Sequence, residues 1–237
     1  MKEYLINSLR SIELEADYRQ ISQFIDYYEI LVERNKVMNL TAITEYEEVV
    51  LKHFVDSLMI GKIINMESID TVIDIGTGAG FPGIPLKIAF PHLKITLLDS
   101  LNKRIKFLND VIIQLKIDDI KAIHGRAEDF AKQKDYRENY DLCVSRAVAN
   151  LATLSEYCIP YVKVGGQFIS YKSGNIEQEI YDSQNAIKIL GGNIQKIEKF
   201  NLPETDIERS MVIIAKENCT AKKYPRKSGM PSKEPLK

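Results

Sequence analysis

Residues 71–86 read Thr-Val-Ile-Asp-Ile-Gly-Thr-Gly-Ala-Gly-Phe-Pro-Gly-Ile-Pro-Leu, and no other stretch restricts the fold as much. The opening β-branched and apolar run reads as a buried strand. Gly76, Gly78 and Gly80 follow at alternate positions. Glycine reaches positive φ and lacks a Cβ, so the chain can turn sharply here and admit a ligand close to its backbone. A helix is expected to start after Pro82 or Gly83. Strand, glycine turn and helix N-terminus together make a nucleotide-cradling arrangement.

The spacing narrows the ligand. A dinucleotide fingerprint G-x-G-x-x-G would need glycine at position 81, where Phe81 stands. The pattern present is D-x-G-x-G-x-G, with Asp74 near the strand end. A carboxylate beside the turn repels a pyrophosphate and suits a ligand carrying an ammonium group. S-adenosyl-L-methionine carries one on its amino-acid tail.

Length and composition set the frame. With 237 residues, 45% hydrophobic and 27% charged, the chain is expected to be soluble and globular, with one large or two small domains. No apolar run is long enough to span a membrane, and residues 1–10 lack the apolar core of a signal peptide, so a cytoplasmic location is expected. Cys143, Cys158 and Cys219 are too scattered for a disulfide framework or a zinc site. The net charge of −1 gives no global nucleic-acid signal, yet residues 216–237 hold seven Lys or Arg against Glu217 and Glu234.

Three regions are expected. Residues 1–66 read as helical and packed on the core. In residues 17–38, Ile21, Phe24, Ile25, Tyr28, Leu31 and Val32 recur at three- and four-residue intervals behind a candidate N-cap, Asp17. Thr44 is a candidate cap for a helix over residues 45–64. In residues 67–216, strands alternate with helical patterns, the signature of an α/β, Rossmann-like parallel sheet. Strands are expected over 71–75, 94–99, 120–124, 140–146, 167–171, 193–200 and 210–215, with a turn at 164–166. The basic segment 217–237, rich in Lys, Pro and Ser, is expected to be a flexible tail.

In such a sheet, ligands lie beyond the carboxyl ends of the strands. Asp99 follows Gly80 by 19 residues and can accept from a ribose diol, or cap the next helix. Ala127 with Glu128 or Asp129 is placed to meet an adenine edge, or forms an ordinary turn. Phe81 packs on the cofactor or staples the helix start. His53 is a core histidine or part of a substrate-facing wall. Arg126, Arg146 and Lys172 make a positive mouth suited to a phosphate backbone or a base carbonyl. No Asn-Pro-Pro-Tyr run is present to hold an exocyclic amine, and no Pro-Cys pair to attack a pyrimidine. A purine ring nitrogen such as guanine N7 needs neither device, because its in-plane lone pair attacks directly once positioned in line.

Residues 38–43, the His53 to Leu58 segment, residues 74–86, residues 97–104 and the run Ser145-Arg146-Ala147 resemble the RsmG (GidB) family. The ending, residues 223–236, resembles that of members from low-GC Gram-positive bacteria. The resemblance implies a class I S-adenosyl-L-methionine-dependent methyltransferase with a seven-stranded sheet whose last strand is antiparallel. It implies methylation of N7 of one guanine in the decoding-region loop of bacterial 16S rRNA, and a monomer is expected. It implies that Gly76, Phe81, Ala127, Glu128 and Arg146 line the cofactor site, with Asp99 taking the ribose through fold analogy; the reading of the turn itself adds Asp74, Gly78 and Gly80. Arg126 and Lys172 match basic positions facing the RNA or the target base. The alternatives are a small-molecule or protein methyltransferase and a non-catalytic RNA-binding assembly factor of the same fold. A dehydrogenase is disfavoured by Phe81.

Overall fold

The structure, a computed structural model, describes residues 1–236. Its centre is set by the apolar strands. β1 (Thr71–Ile75), β2 (Lys94–Asp99), β3 (Ile120–His124), β4 (Tyr140–Arg146), β5 (Val162–Ser173), β6 (Gly192–Asn201) and β7 (Glu208–Lys216) form one seven-stranded sheet in the order β3-β2-β1-β4-β5-β7-β6. The pairs β2–β3, β1–β2, β1–β4 and β4–β5 are parallel, while β7 runs against both β5 and β6. The expected Rossmann-like sheet with an antiparallel last strand is therefore present.

Two apolar layers enclose the sheet, and the strand period of two divides them. Val72, Leu142, Val144, Ile169, Met211 and Ile213 point to one layer. Ile73, Ile75, Cys143, Phe168, Val212 and Ile214 point to the other. The first layer is capped by α1 (Lys2–Arg10), α2 (Tyr18–Met38), α5 (Gly83–Ala89) and α6 (Asn102–Leu115). The second is capped by α7 (Ala127–Phe130), α8 (Leu151–Cys158) and α9 (Glu177–Ile189). Phe24 and Leu31 of α2 share one core with Ile84 and Leu97, so the core is continuous across residue 66.

Asp17 caps α2 as expected, in a reciprocal capping box with Gln20. Thr44 does not cap the next helix: the cap position is Glu45, without a side-chain bond, and the Thr44 carbonyl instead accepts from the Tyr28 hydroxyl at 3.1 Å. The helical run beyond it changes pitch three times, from α3 (Tyr46–Val49) through a π-helical stretch (Val50–Val55) to α4 (Asp56–Leu58) and a 3-10 turn (Met59–Lys62). The wide turn carries Lys52 and His53. The turn expected at 164–166 lies inside β5, where Gly165 at φ +88 and a register shift opposite Tyr140 and Leu142 bend the strand without ending it.

The tail expectation is corrected. Residues 217–236 lie along the core, and Lys237 lies outside the described residues. The Arg137 guanidinium donates to the carbonyls of Thr220 (2.6 Å) and Tyr224 (2.9 Å), and Arg226 pairs with the buried Glu156. These backbone and charge bonds stand in for the apolar periodicity that the segment lacks.

Candidate active site

A cavity of about 1050 Å³ opens beyond the carboxyl ends of the parallel strands. Its wall brings together Gly76, Gly78, Phe81, Asp99, Arg126, Ala127, Glu128, Arg146 and Lys172. Asp74 and Gly80, expected beside them, do not reach the wall.

The glycine turn is held by its neighbours. The N–H groups of Gly76 and Thr77 both donate to the Leu98 carbonyl, at 2.8 and 3.2 Å. Gly76 and Gly78 adopt φ +70 and +61, which L residues rarely take. A Cβ on Gly76 would stand 2.5 Å from Val148, whereas one on Gly78 would meet nothing nearer than 4.0 Å and would fill cavity space. Gly80 faces away, toward Ile84 and the Tyr27 hydroxyl.

Asp74 does not offer its carboxylate to a ligand, because the strand pleat turns it toward the start of α5. One oxygen accepts from the Thr77 hydroxyl (2.6 Å) and the Gly83 N–H (2.9 Å), and the other has no partner. Burial pushes its pKa up to about 6, against the downward pull of those two bonds. It braces the turn from beneath.

Asp99 is 3% exposed and lines the cavity, but it does not cap α6, whose N-cap position is Leu101 without a side-chain bond. One oxygen accepts from the Leu101 N–H at 2.9 Å, next to the helix start. The other accepts from the Gly78 N–H (3.0 Å) and Arg104 Nη1 (3.1 Å). Ala127 accepts from the Tyr161 hydroxyl at 2.6 Å, and Glu128 Oε1 accepts from the Gly229 N–H at 2.8 Å.

At the other end, aromatic rings and paired charges replace backbone amides. His53 stacks on Phe81 with centroids 4.5 Å apart, and the Arg146 guanidinium lies 5.1 Å over the same ring. Burial and the nearby Arg146 push the His53 pKa down to about 3, so the imidazole is neutral at physiological pH. Its Nε2 is 2.9 Å from the Thr41 hydroxyl. Asp56 is clamped between Arg146 (3.0 Å) and Arg209 (3.2 Å). Lys172 donates to Glu179 (2.5 Å) and to the Ala149 carbonyl (2.7 Å).

Of the three cations expected at the mouth, Arg146 and Lys172 are ion-paired with carboxylates of the same wall, Asp56 (shared with Arg209) and Glu179. Arg126 is exposed and, among the described residues, is the lining Arg or Lys without an ion pair.

Sequence reasoning missed Arg209, Glu179 and Tyr27. Arg209 lies at the start of β7, and only the antiparallel return of that strand brings a strand beginning to the carboxyl edge, where Arg209 pairs in register with Ser173. Tyr27 donates to the Ala79 carbonyl at 2.5 Å from within α2, where helical periodicity marks it only as core. The one signal available for the mouth was His53 and Asp56 three residues apart, one helical turn, which places both on one face.

Comparison with known proteins shows the family and the fold. The model of the family described as "GidB: rRNA small subunit methyltransferase G" matches residues 20–210. Proteins named "Ribosomal RNA small subunit methyltransferase G" are similar over nearly the whole length. That of Lachnoclostridium phytofermentans is 53% identical, covering 98% of this chain and 96% of its own. That of Acetivibrio thermocellus is 52% identical, covering 100% and 97%. Among solved structures, Pyrococcus horikoshii TYW2 in complex with MeSAdo shares the fold at 14% identity and a TM-score of 0.55, over 68% of this chain and 61% of that one. TrmN from Thermus thermophilus does so at 10% identity and a TM-score of 0.51, over 70% and 53%. A family model spanning most of the chain, together with full-length relatives at about half identity, makes this chain a member of the GidB family.

Proposed function

We propose that this chain transfers the methyl group of S-adenosyl-L-methionine to N7 of one guanine in the decoding-region loop of bacterial 16S rRNA, acting as a monomer in the cytoplasm. Among the described residues no helix is long and apolar enough to cross a membrane. Family membership supports the reaction class and the small-subunit rRNA substrate. The observation that carries the reading is one cavity joining the glycine turn and Asp99 to an arginine-bearing aromatic mouth.

The residues present fit the cofactor. Gly78 leaves open the space a Cβ would take, and its N–H is bonded to Asp99, so backbone and carboxylate face the same region. The volume of about 1050 Å³ is at the upper end of small-molecule sites, roughly 300–1,000 Å³, and suits a ligand of nucleoside size. Gly76, Gly78, Phe81, Asp99, Ala127, Glu128 and Arg146 would hold the cofactor, with Asp74 and Gly80 shaping the turn from behind. Bound there, it supplies an electrophilic methyl group on a sulfonium.

The protein's task is then positioning. Guanine N7 carries no proton to remove, so a general base is unnecessary, and the neutral His53 beside Phe81 offers a flat apolar surface without adding charge. Positive charge grows on the purine as the new bond forms. The carboxylates of Asp56 and Glu179 offset most of the charge of Arg146, Arg209 and Lys172, which would otherwise oppose it. Arg126 takes the RNA backbone, and Lys172 faces the base with its ammonium oriented by Glu179 and Ala149.

The test is methyl transfer from labelled S-adenosyl-L-methionine to small-subunit particles or their rRNA, followed by chemical cleavage at methylated guanine. Label at a single guanine is expected. No incorporation into either substrate overturns the proposal.

A further inference from the structure

The C-terminal segment is stitched across the two helices that carry one wall of the cavity. Arg226 lies on Glu156, a carboxylate with 0% exposure, through its backbone N–H (2.7 Å), Nε (3.0 and 3.1 Å) and Nη2 (2.7 Å). The Ser228 hydroxyl donates to Asp129 at 2.8 Å, and the Thr153 hydroxyl to the Pro231 carbonyl at 3.0 Å. Gly229 turns at φ +84 and gives its N–H to Glu128, and among the described residues no other group hydrogen-bonds that carboxylate. Gly229 and Ser232 themselves line the cavity beside Glu128 and Tyr157. The family model ends at residue 210, so its match does not include this segment.

We propose that residues 224–235 form a clasp that completes the cofactor end of the cavity and sets cofactor affinity. The inference rests on the methyltransferase reading above, since the ligand is the nucleoside part of S-adenosyl-L-methionine. Gly229 acts as a positioning residue: its N–H fixes the Glu128 carboxylate, and the residue itself lines the cavity. Arg226 is the rivet. It supplies the positive partner that Glu156 requires inside the protein, so this guanidinium is committed to the fold and withheld from the RNA.

Linkage makes the clasp testable from both sides, because a docked clasp that favours the cofactor must in turn be favoured by it. The full chain and a chain ending at residue 223 are titrated calorimetrically with S-adenosyl-L-methionine. The full chain alone is then digested with trypsin, with and without saturating cofactor, and cleavage after the exposed Lys227 is timed. The truncated chain is expected to bind about tenfold or more weakly, and cofactor to slow cleavage by a comparable factor. Cleavage at an unchanged rate overturns the clasp even if the truncated chain fails to fold. Equal affinities of the two chains also overturn it, and both results leave the methyltransferase reading standing. A full chain that binds no cofactor overturns that reading and the clasp together.

Discussion

Around Asp99 the hydrogen-bond partners come from near neighbours or from the adjacent parallel strand. Asp99 binds Leu101 two residues on and Arg104 five residues on, and reaches Gly78 across the β1–β2 pair. At the mouth, Asp56 joins Arg146 on β4 and Arg209 on β7, residues 90 and 153 positions away. Around Asp99 the bonds are local, although Tyr27 and Gly229 reach this end from 52 and 101 residues away. The mouth is held by a charge network that exists only once the N-terminal helices and the last strand have docked. Damage at Asp99 should therefore stay local, and damage at Asp56 should spread.

The sharpest break of this contrast is Asp56→Ala. It leaves two guanidinium groups without their shared carboxylate in a wall where Asp56 is 6% exposed and Arg146 14%, so a stability loss of about 3–5 kcal/mol is expected by denaturant melt. A loss below about 1 kcal/mol would show that solvent already neutralises the pair.

Asp99→Ala should weaken cofactor binding about 100-fold in a calorimetric titration, since a charge-assisted acceptor is lost, while RNA affinity stays within about twofold. Equal loss of both would erase the division between the two ends.

His53 sharpens the contrast through pH. Its folded pKa is depressed to about 3, so the unfolded chain takes up a proton near 6.5 that the folded chain refuses. The stabilising effect of keeping it neutral is complete above pH 6.5 and is lost as pH falls toward 3. Between pH 6.5 and 5, wild type should lose about 2 kcal/mol more stability than His53→Gln, measured by denaturant melts across that range. Parallel curves would remove His53 from the acid response.

Lys172→Ala should lower turnover about tenfold with cofactor affinity unchanged, roughly 1.4 kcal/mol of transition-state stabilisation. The smallest effect is expected at the free cation: Arg126→Ala should reduce the slope of log affinity for rRNA against log salt by about 1, with a uniform loss across sequences. An unchanged slope would take Arg126 out of the RNA path.

How legible each end is in the sequence follows from the same contrast. The glycine turn, Asp99 and the alternation of strands and helices are local patterns, and the antiparallel β7 follows with the family resemblance, whereas the strand order is seen only in the structure. Arg146 and Lys172 are visible as strand-end residues, but their partners are not, since pairing in space with Asp56 and Glu179 depends on how distant helices dock. Asp74 misleads for a geometric reason: a strand period of two turns it beneath the turn it adjoins. The tail misleads for an energetic one. Its composition lacks apolar periodicity, yet a buried carboxylate on α8 can hold it through Arg226 without any.

Tyr27 joins the second helix to the loop that faces the cavity, through a 2.5 Å bond to Ala79 and rings stacked toward Phe54 and Phe81. The leading helices are consequently part of the floor on which the nucleotide loop rests. A shortened protein that begins at the first strand would strip one apolar layer from the sheet and leave that loop without its anchor, so a minimal catalytic fragment of this enzyme has to be cut upstream of Tyr27.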